Sequence, residues 1–256
     1  MTKKRIIITF LVICLVFVLG FKALFKSITL IPIRFFSVNC SQAIYFFDTE
    51  KKLIALTINN VPDNNHIFPN TTLGILDVLA RYEAKATFFV NIDKATEFPA
   101  LITSIVKQGH ELGNYLADRK LGIGLGNKFE TKFVRADRFL SQFAATSWFR
   151  PNSKRCNFDI NRTIAKYDYK TALGLVMPDS LGMSPQFYNQ YIKQNIRPGA
   201  VLILDDSNND DQKGQEAIAV LNTIIPQLQQ QGYHFVTLSE LEIKNKTSKS
   251  NIKKAQ

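Results

Sequence analysis

The sequence predicts an α/β protein, a distorted and incomplete (β/α) barrel of about seven strands preceded by one N-terminal transmembrane helix. Three observations predict it. Short β-rich runs alternate with amphipathic stretches from residue 51 onward, helical stretches stop at a glycine just before the next strand, and a positive segment precedes an apolar run at the front. Strands that alternate with helices pair in parallel through right-handed crossovers, and seven such repeats favour a barrel over an open sheet.

Taken in order, residues 1–27 read as a signal anchor: "MTKKR" is followed by "IIITFLVICLVFVLGF", with Lys22 and Lys26 placed to snorkel at the far interface. No small-x-small cleavage site follows, so the anchor is expected to stay attached, with the body outside the cytoplasm. Residues 28–50 read as a connecting region and residues 51–242 as the globular domain. Its strand candidates are "KLIALTI", "KATFFVN", "HELGNY", "TSWFR", "YKTALGLV", "AVLILDD" and "YHFVTL". Between them the spacing predicts helices over 72–82, 98–108, 128–142, 159–166, 185–194 and 215–231. Leu73, Leu76 and Leu79 share one helical face, as do Ile218, Leu221, Ile225 and Leu228. Gly109 and Gly232 stand where a helix end needs a left-handed residue. Residues 243–256, polar and without apolar periodicity, read as a basic disordered tail.

The formal charge of +11 sits mostly at the two ends. Ten of the 32 basic residues lie at positions 3–26 and 244–254; without them and Glu242, 22 basic residues face 20 of the 21 acidic ones. A near-neutral body lacks the concentrated basic face that phosphate backbones require, so no nucleic-acid partner is expected. Cys14 lies in the apolar run, and Cys40 and Cys156 permit one disulfide without implying it.

A βα barrel mounts its chemistry on the loops at the C-terminal ends of its strands. That rule selects Asn59 and Asn60, Asn91, Tyr115 with Arg119, Arg150, and Asp205 with Asp206. With these strand ends in line, the chain resembles the polysaccharide deacetylase (NodB-homology, carbohydrate esterase type) family from about Lys52 to Leu241. "KKLIALTINNVP" is similar to the family's opening strand, which ends in T-F-D-D-G-P. "ILDVLARYEAKATFFV" and "FPALITSIVKQGHELGN" resemble the following helix, strand and helix. "FRP" resembles R-P-P, and "RPGAVLILDD" with "IIPQLQQQGYHFVTLSEL" resembles the closing section, which reads L-H-D.

The resemblance implies removal of acetyl groups from N-acetylglucosamine polymers by a bound divalent metal, usually zinc. One Asp and two His would hold the ion, a second Asp would take a proton from its water, and a further His would protonate the leaving amine. Carried across, each role falls on a changed side chain. Asn59 stands for the base and Asn60 for the metal Asp; Tyr115 and Arg119 stand for the metal histidines and Asp205 for the acid. Arg150, Pro151, Asp206 and Pro62 match the pattern, while Val61 and Asn152 depart from it. An amide cannot act as a general base, a guanidinium cannot donate a lone pair, and a phenol binds metal only after losing a proton whose ordinary pKa is near 10. No metal and no other cofactor is therefore expected. An Asp205–Arg119 ion pair across the old metal position is expected instead.

His66, His110 and His234 are too scattered to rebuild a ligand set, and His110 reads as structural. A relocated hard-cation site on the aspartates at 63, 118, 205, 206, 210 and 211 is disfavoured, since acidic loop residues are more often solvated and their spacing fits no defined calcium loop. Trp148 is a candidate sugar-stacking ring, weighed against a place in the core. The expected function is a membrane-anchored, catalytically silent relative that binds envelope polysaccharide or a protein partner. The alternative is an active hydrolase of N-acetyl bonds with a site rebuilt around Asp205 and Asp206.

Overall fold

The computed structural model describes residues 43–62, 70–116, 126–151, 158–174, 184–205 and 211–254. Seven parallel strands form the sheet: β1 (Leu53–Val61), β2 (Thr87–Asn91), β3 (Glu111–Leu116), β4 (Trp148–Pro151), β5 (Lys170–Thr171), β6 (Ala200–Asp205) and β7 (His234–Val236). Their order is β5-β4-β3-β2-β1-β6, with β7 pairing the first half of β1. The helices are α1 (Asn70–Arg81), α2 (Ile92–Ala95), α3 (Pro99–Lys107), α4 (Gly126–Leu140), α5 (Phe158–Ala165), α6 (Pro185–Asn195), α7 (Asp211–Gln230) and α8 (Leu238–Lys254).

The period-two pattern of the strands sorts side chains onto two faces. Ile54, Leu56, Ile58, Phe88 and Val90 pack outward among the apolar faces of the helices. Leu53, Ala55, Phe89, Tyr115, Trp148 and Val201 pack together on the inner face. All nine residues of β1 are buried, as a strand covered on both faces must be.

The sheet curls into a half-barrel whose free edges are β5 and β6. The chain just before β1 bridges them: Ile44 donates its N–H to Thr171 O at 2.8 Å and accepts from Leu173 N at 2.7 Å, while Phe47 N donates to Gly199 O at 2.8 Å. Exposed strand edges are thereby paired. Two glycines permit this approach. A Cβ on Gly174 would lie 2.6 Å from Val201 O, and one on Gly199, whose φ is +76°, would fall onto Phe47 O. Part of the stretch read as a connecting region thus serves as the barrel's seam.

Two expectations need correction or fall outside view. The chain from Leu238 to Lys254 is helical, where residues 243–256 read as disordered. A reciprocal cap explains its start: Thr237 N donates to Glu240 Oε2 at 3.0 Å and Glu240 N to Thr237 Oγ1 at 3.2 Å. Leu238 and Leu241 anchor the first turn in the core, and Lys246 pairs with Glu242 one turn on, at 3.1 Å. The signal anchor over residues 1–27 lies outside the described residues, as do the three cysteines. No described helix is long and apolar enough to cross a membrane.

His110, 7% exposed, precedes β3 at the end of the barrel opposite the strand tips. Its ring packs on Phe88 at 5.3 Å and Nδ1 accepts from Ala86 N at 3.4 Å. Burial, assisted by the nearby Lys85 charge, lowers its pKa from 6.5 to about 4. Between those values the unfolded chain binds a proton that the folded chain does not. Stability therefore falls as pH drops through this window, by on the order of 2–3 kcal/mol. Denaturant unfolding of wild type and His110→Gln from pH 7 to 4 should show a difference that shrinks on acidification; a pH-independent difference would rule this out.

Candidate functional site

The C-terminal ends of β1, β2 and β4 carry two polar networks, and the ends of β3 and β6 pair beside them. In a regular strand, Asn59 and Asn60 would point to opposite faces. Here β1 carries an extra residue relative to β2: Ile58 pairs with Phe88 but Val61 with Val90, leaving two residues opposite one. Asn60 takes φ 62°, a left-handed conformation that Asn tolerates better than most side chains. Such a bulge re-aims side chains, and both amides here enter the strand-end polar network.

Asn59 is held by Arg150, which is 2% exposed. The Arg150 Nη1 donates to Asn59 Oδ1 at 2.7 Å and to Thr57 Oγ1 at 2.8 Å, and Nε donates to Ala172 O at 2.7 Å. Its guanidinium carbon lies 3.9 Å from the centre of the Phe89 ring. Thr57 in turn donates to Leu202 O at 2.9 Å. The chain Ala172–Arg150–Thr57–Leu202 thus runs inside the barrel from the β5 edge to β6.

Asn60 sits in a second network. Its Oδ1 accepts from Asn91 Nδ2 at 3.1 Å and from Lys94 Nζ at 3.4 Å. Asn91 Oδ1 accepts from Asp93 N at 3.2 Å, capping α2 and fixing the amide's orientation. Tyr115 is buried on the inner face, in register with Asn91 on one side and Arg150 on the other. Asp205 closes β6 and its backbone pairs beside Asn59. The Asp205 side chain, Arg119, Asp206 and His66 lie outside the description, and so does the expected Asp205–Arg119 pair.

Trp148 requires correction as a sugar platform. It opens β4 with no exposed surface, and its Nε1 donates to Ser239 Oγ at 2.9 Å. Ser239 Oγ also donates a short hydrogen bond to Glu111 Oε1, and Thr87 Oγ1 donates to Glu111 Oε2 at 2.7 Å. Burial raises the Glu111 pKa against these hydrogen bonds. This cluster ties α8 to the N-terminal ends of the strands, away from the two amides.

Sequence reasoning missed Thr57, Lys94 and the Ala172 carbonyl. Thr57 could have been found from alternation, since it lies on the same strand face as Ala55 and Asn59. Lys94 and Ala172 carry no signal short of the fold.

The described side chains do not fit a divalent cation. The one oxygen Asn60 could offer already faces two donors, one of them an ammonium that would repel the ion. Among the described residues, no three His, Cys, Asp or Glu side chains come together.

The family model described as polysaccharide deacetylase matches residues 47–172. A peptidoglycan-N-acetylglucosamine deacetylase of Bacillus cereus is 30% identical over 197 residues, covering 75% of this chain and 88% of that protein. This chain belongs to the polysaccharide deacetylase family. A family 4 acetyl xylan esterase from Clostridium thermocellum, solved in complex with a cobalt ion, superimposes with a TM-score of 0.65 at 26% identity, covering 74% of this chain and 90% of that one. A CE4 family pseudoenzyme from Bacillus anthracis gives 0.68 at 22% identity, covering 78% and 68%, a likeness of fold alone.

Replacing Arg150 by Met would leave three buried acceptors without this donor, each worth about 1–3 kcal/mol. Arg150→Met is expected to cost about 3 kcal/mol or more in urea unfolding; a loss below about 1 kcal/mol would show that the guanidinium does not hold the strands.

Proposed function

We propose that this protein is a catalytically silent polysaccharide deacetylase-like protein of the cell envelope, anchored by residues 1–27, whose domain over residues 51–242 keeps a glycan- or partner-binding role. One observation carries the reading: both amides at the tip of β1 have their oxygens engaged by cationic donors, Asn59 by Arg150 and Asn60 by Lys94. If Asn59 stands at the position of the base and Asn60 at that of the metal carboxylate, neither role can be filled. A neutral amide accepts no proton at physiological pH, and an ammonium takes the place of positive charge that a metal would otherwise supply.

Peptidoglycan is the favoured polymer, because the Bacillus cereus relative is named for acting on it. An envelope polymer also agrees with a body held outside the cytoplasm. Arg150 keeps a use in either reading, since its bonds join strands that the half-barrel must hold together whether or not chemistry occurs.

The opposing reading, a hydrolase rebuilt around Asp205 and Asp206, has one point in its favour: the backbone of Asp205 pairs directly beside Asn59. An assay of acetate release separates the two. The detergent-solubilised full chain, supplied with zinc and given N-acetylated chitooligosaccharides or peptidoglycan, is expected to release no acetate above buffer and to have come from the membrane fraction. Turnover that Asp205→Asn abolishes would establish the hydrolase, and recovery from the soluble fraction would remove the anchor.

A further inference from the structure

A groove of about 640 Å³ lies between α2 and α4, lined by side chains that take no part in the described hydrogen bonds of either amide network. Ile92, Val134 and Phe139 give it an apolar lining; Arg135, Arg138 and Glu130 supply its charges. On α4, Glu130, Val134 and Arg138 recur at intervals of four, as do Arg135 and Phe139, so one helical face builds this wall. Ile92 directly follows Asn91, which places the groove beside the barrel mouth.

The charges in it are uneven in their commitments. Glu130 accepts from Tyr167 Oη at 2.9 Å and from Lys166 Nζ at 3.3 Å, and these bonds hold its pKa below the usual carboxylate range. Asp137, the other acid on α4, accepts from Tyr169 Oη at 2.7 Å. Arg135 and Arg138 are exposed, and among the described residues neither side chain enters a hydrogen bond or an ion pair. Two guanidinium groups three residues apart on a helix lie about 5–6 Å apart at Cβ, a spacing that serves two carboxylate groups of one ligand.

The size and lining select the ligand. A groove of this volume suits a small molecule or a few residues of chain, not a folded partner, whose interface takes about 800 Å² per side. Phe139 and Gln142 would also suit a sugar, but two planar cations beside the apolar Ile92 and Val134 favour a ligand that brings two carboxylates, a short acidic peptide, over a neutral sugar that leaves both charges unmatched. We propose that this groove binds a short acidic peptide, its carboxylates on Arg135 and Arg138 and its aliphatic side chains on Ile92, Val134 and Phe139. The source assigned to it, the peptide borne by the wall polymer, rests on the peptidoglycan reading above. A glycan strand at the barrel mouth would bring its peptide to this groove.

The test is calorimetric titration of the solubilised full chain, wild type and Arg135→Gln/Arg138→Gln, with three ligands: the free wall peptide, a wall disaccharide carrying that peptide, and the bare disaccharide. Wild type should bind both peptide-bearing ligands, and the variant should lose at least tenfold in affinity for the free peptide with no change for the bare disaccharide. Both arginines are exposed, so a matching unfolding curve for the variant is expected to accompany the loss. Binding of the free peptide without any binding of the disaccharide would sustain the groove and sink the glycan reading. Equal peptide affinity in the two proteins, absence of peptide binding by wild type, or displacement of the peptide by equimolar inorganic phosphate would overturn the proposal.

Discussion

The guanidinium of Arg150 is the constraint on which this structure turns. A half-barrel has two free edges, and packing alone does not fix how far apart they stand. Arg150 reaches the β5 side through Ala172 O and the β1 tip through Thr57 and Asn59, while Thr57 passes the connection to Leu202 on β6. A charge this deeply buried is costly unless its hydrogen atoms find acceptors, and each charge-assisted bond contributes about 1.5–3 kcal/mol. Three of its acceptors are neutral oxygens, and the Phe89 ring face supplies further attraction. The guanidinium and the seam at Ile44 to Phe47 therefore act on the same problem from inside and outside the sheet.

That constraint bears on chemistry. An amide oxygen at residue 59 satisfies Arg150 geometrically, at 2.7 Å, without bringing a group that can take a proton. At residue 60 the amide does a similar thing for Lys94 and Asn91. The described strand ends are thus filled by contacts that hold the ends of β1, β2 and β4 in place. Structural use and catalytic use of these positions are separable, and the proposed silence of the site follows from that separation.

Much of the fold was legible because it rests on periodicity. The seven strand runs and six of the helices follow from alternation and from apolar recurrence, and Gly109 and Gly232 do adopt positive φ, at 79° and 83°. Short-range chemistry that needs the fold was harder to read. Helix α2 has four residues and no period to detect, α8 hides a capping box behind a lysine-rich composition, and the seam depends on edges far apart in sequence. At the site, the strand-end rule brought Asn59, Asn60, Asn91, Tyr115 and Arg150 together, since each sits at the C-terminal end of a strand. Trp148, weighed apart from that rule as a sugar-stacking ring or a core residue, takes the core place, at the start of β4.

The central claim is that the two amide networks, among the described residues, turn the oxygens at the tip of β1 toward cationic donors instead of a divalent cation. Titration of zinc into the metal-free full chain, read by calorimetry alongside Asn60→Ala, tests it most directly. The account predicts no saturable stoichiometric binding at micromolar zinc, and the same trace for both proteins. One zinc bound tightly by the wild type and lost in Asn60→Ala would contradict it.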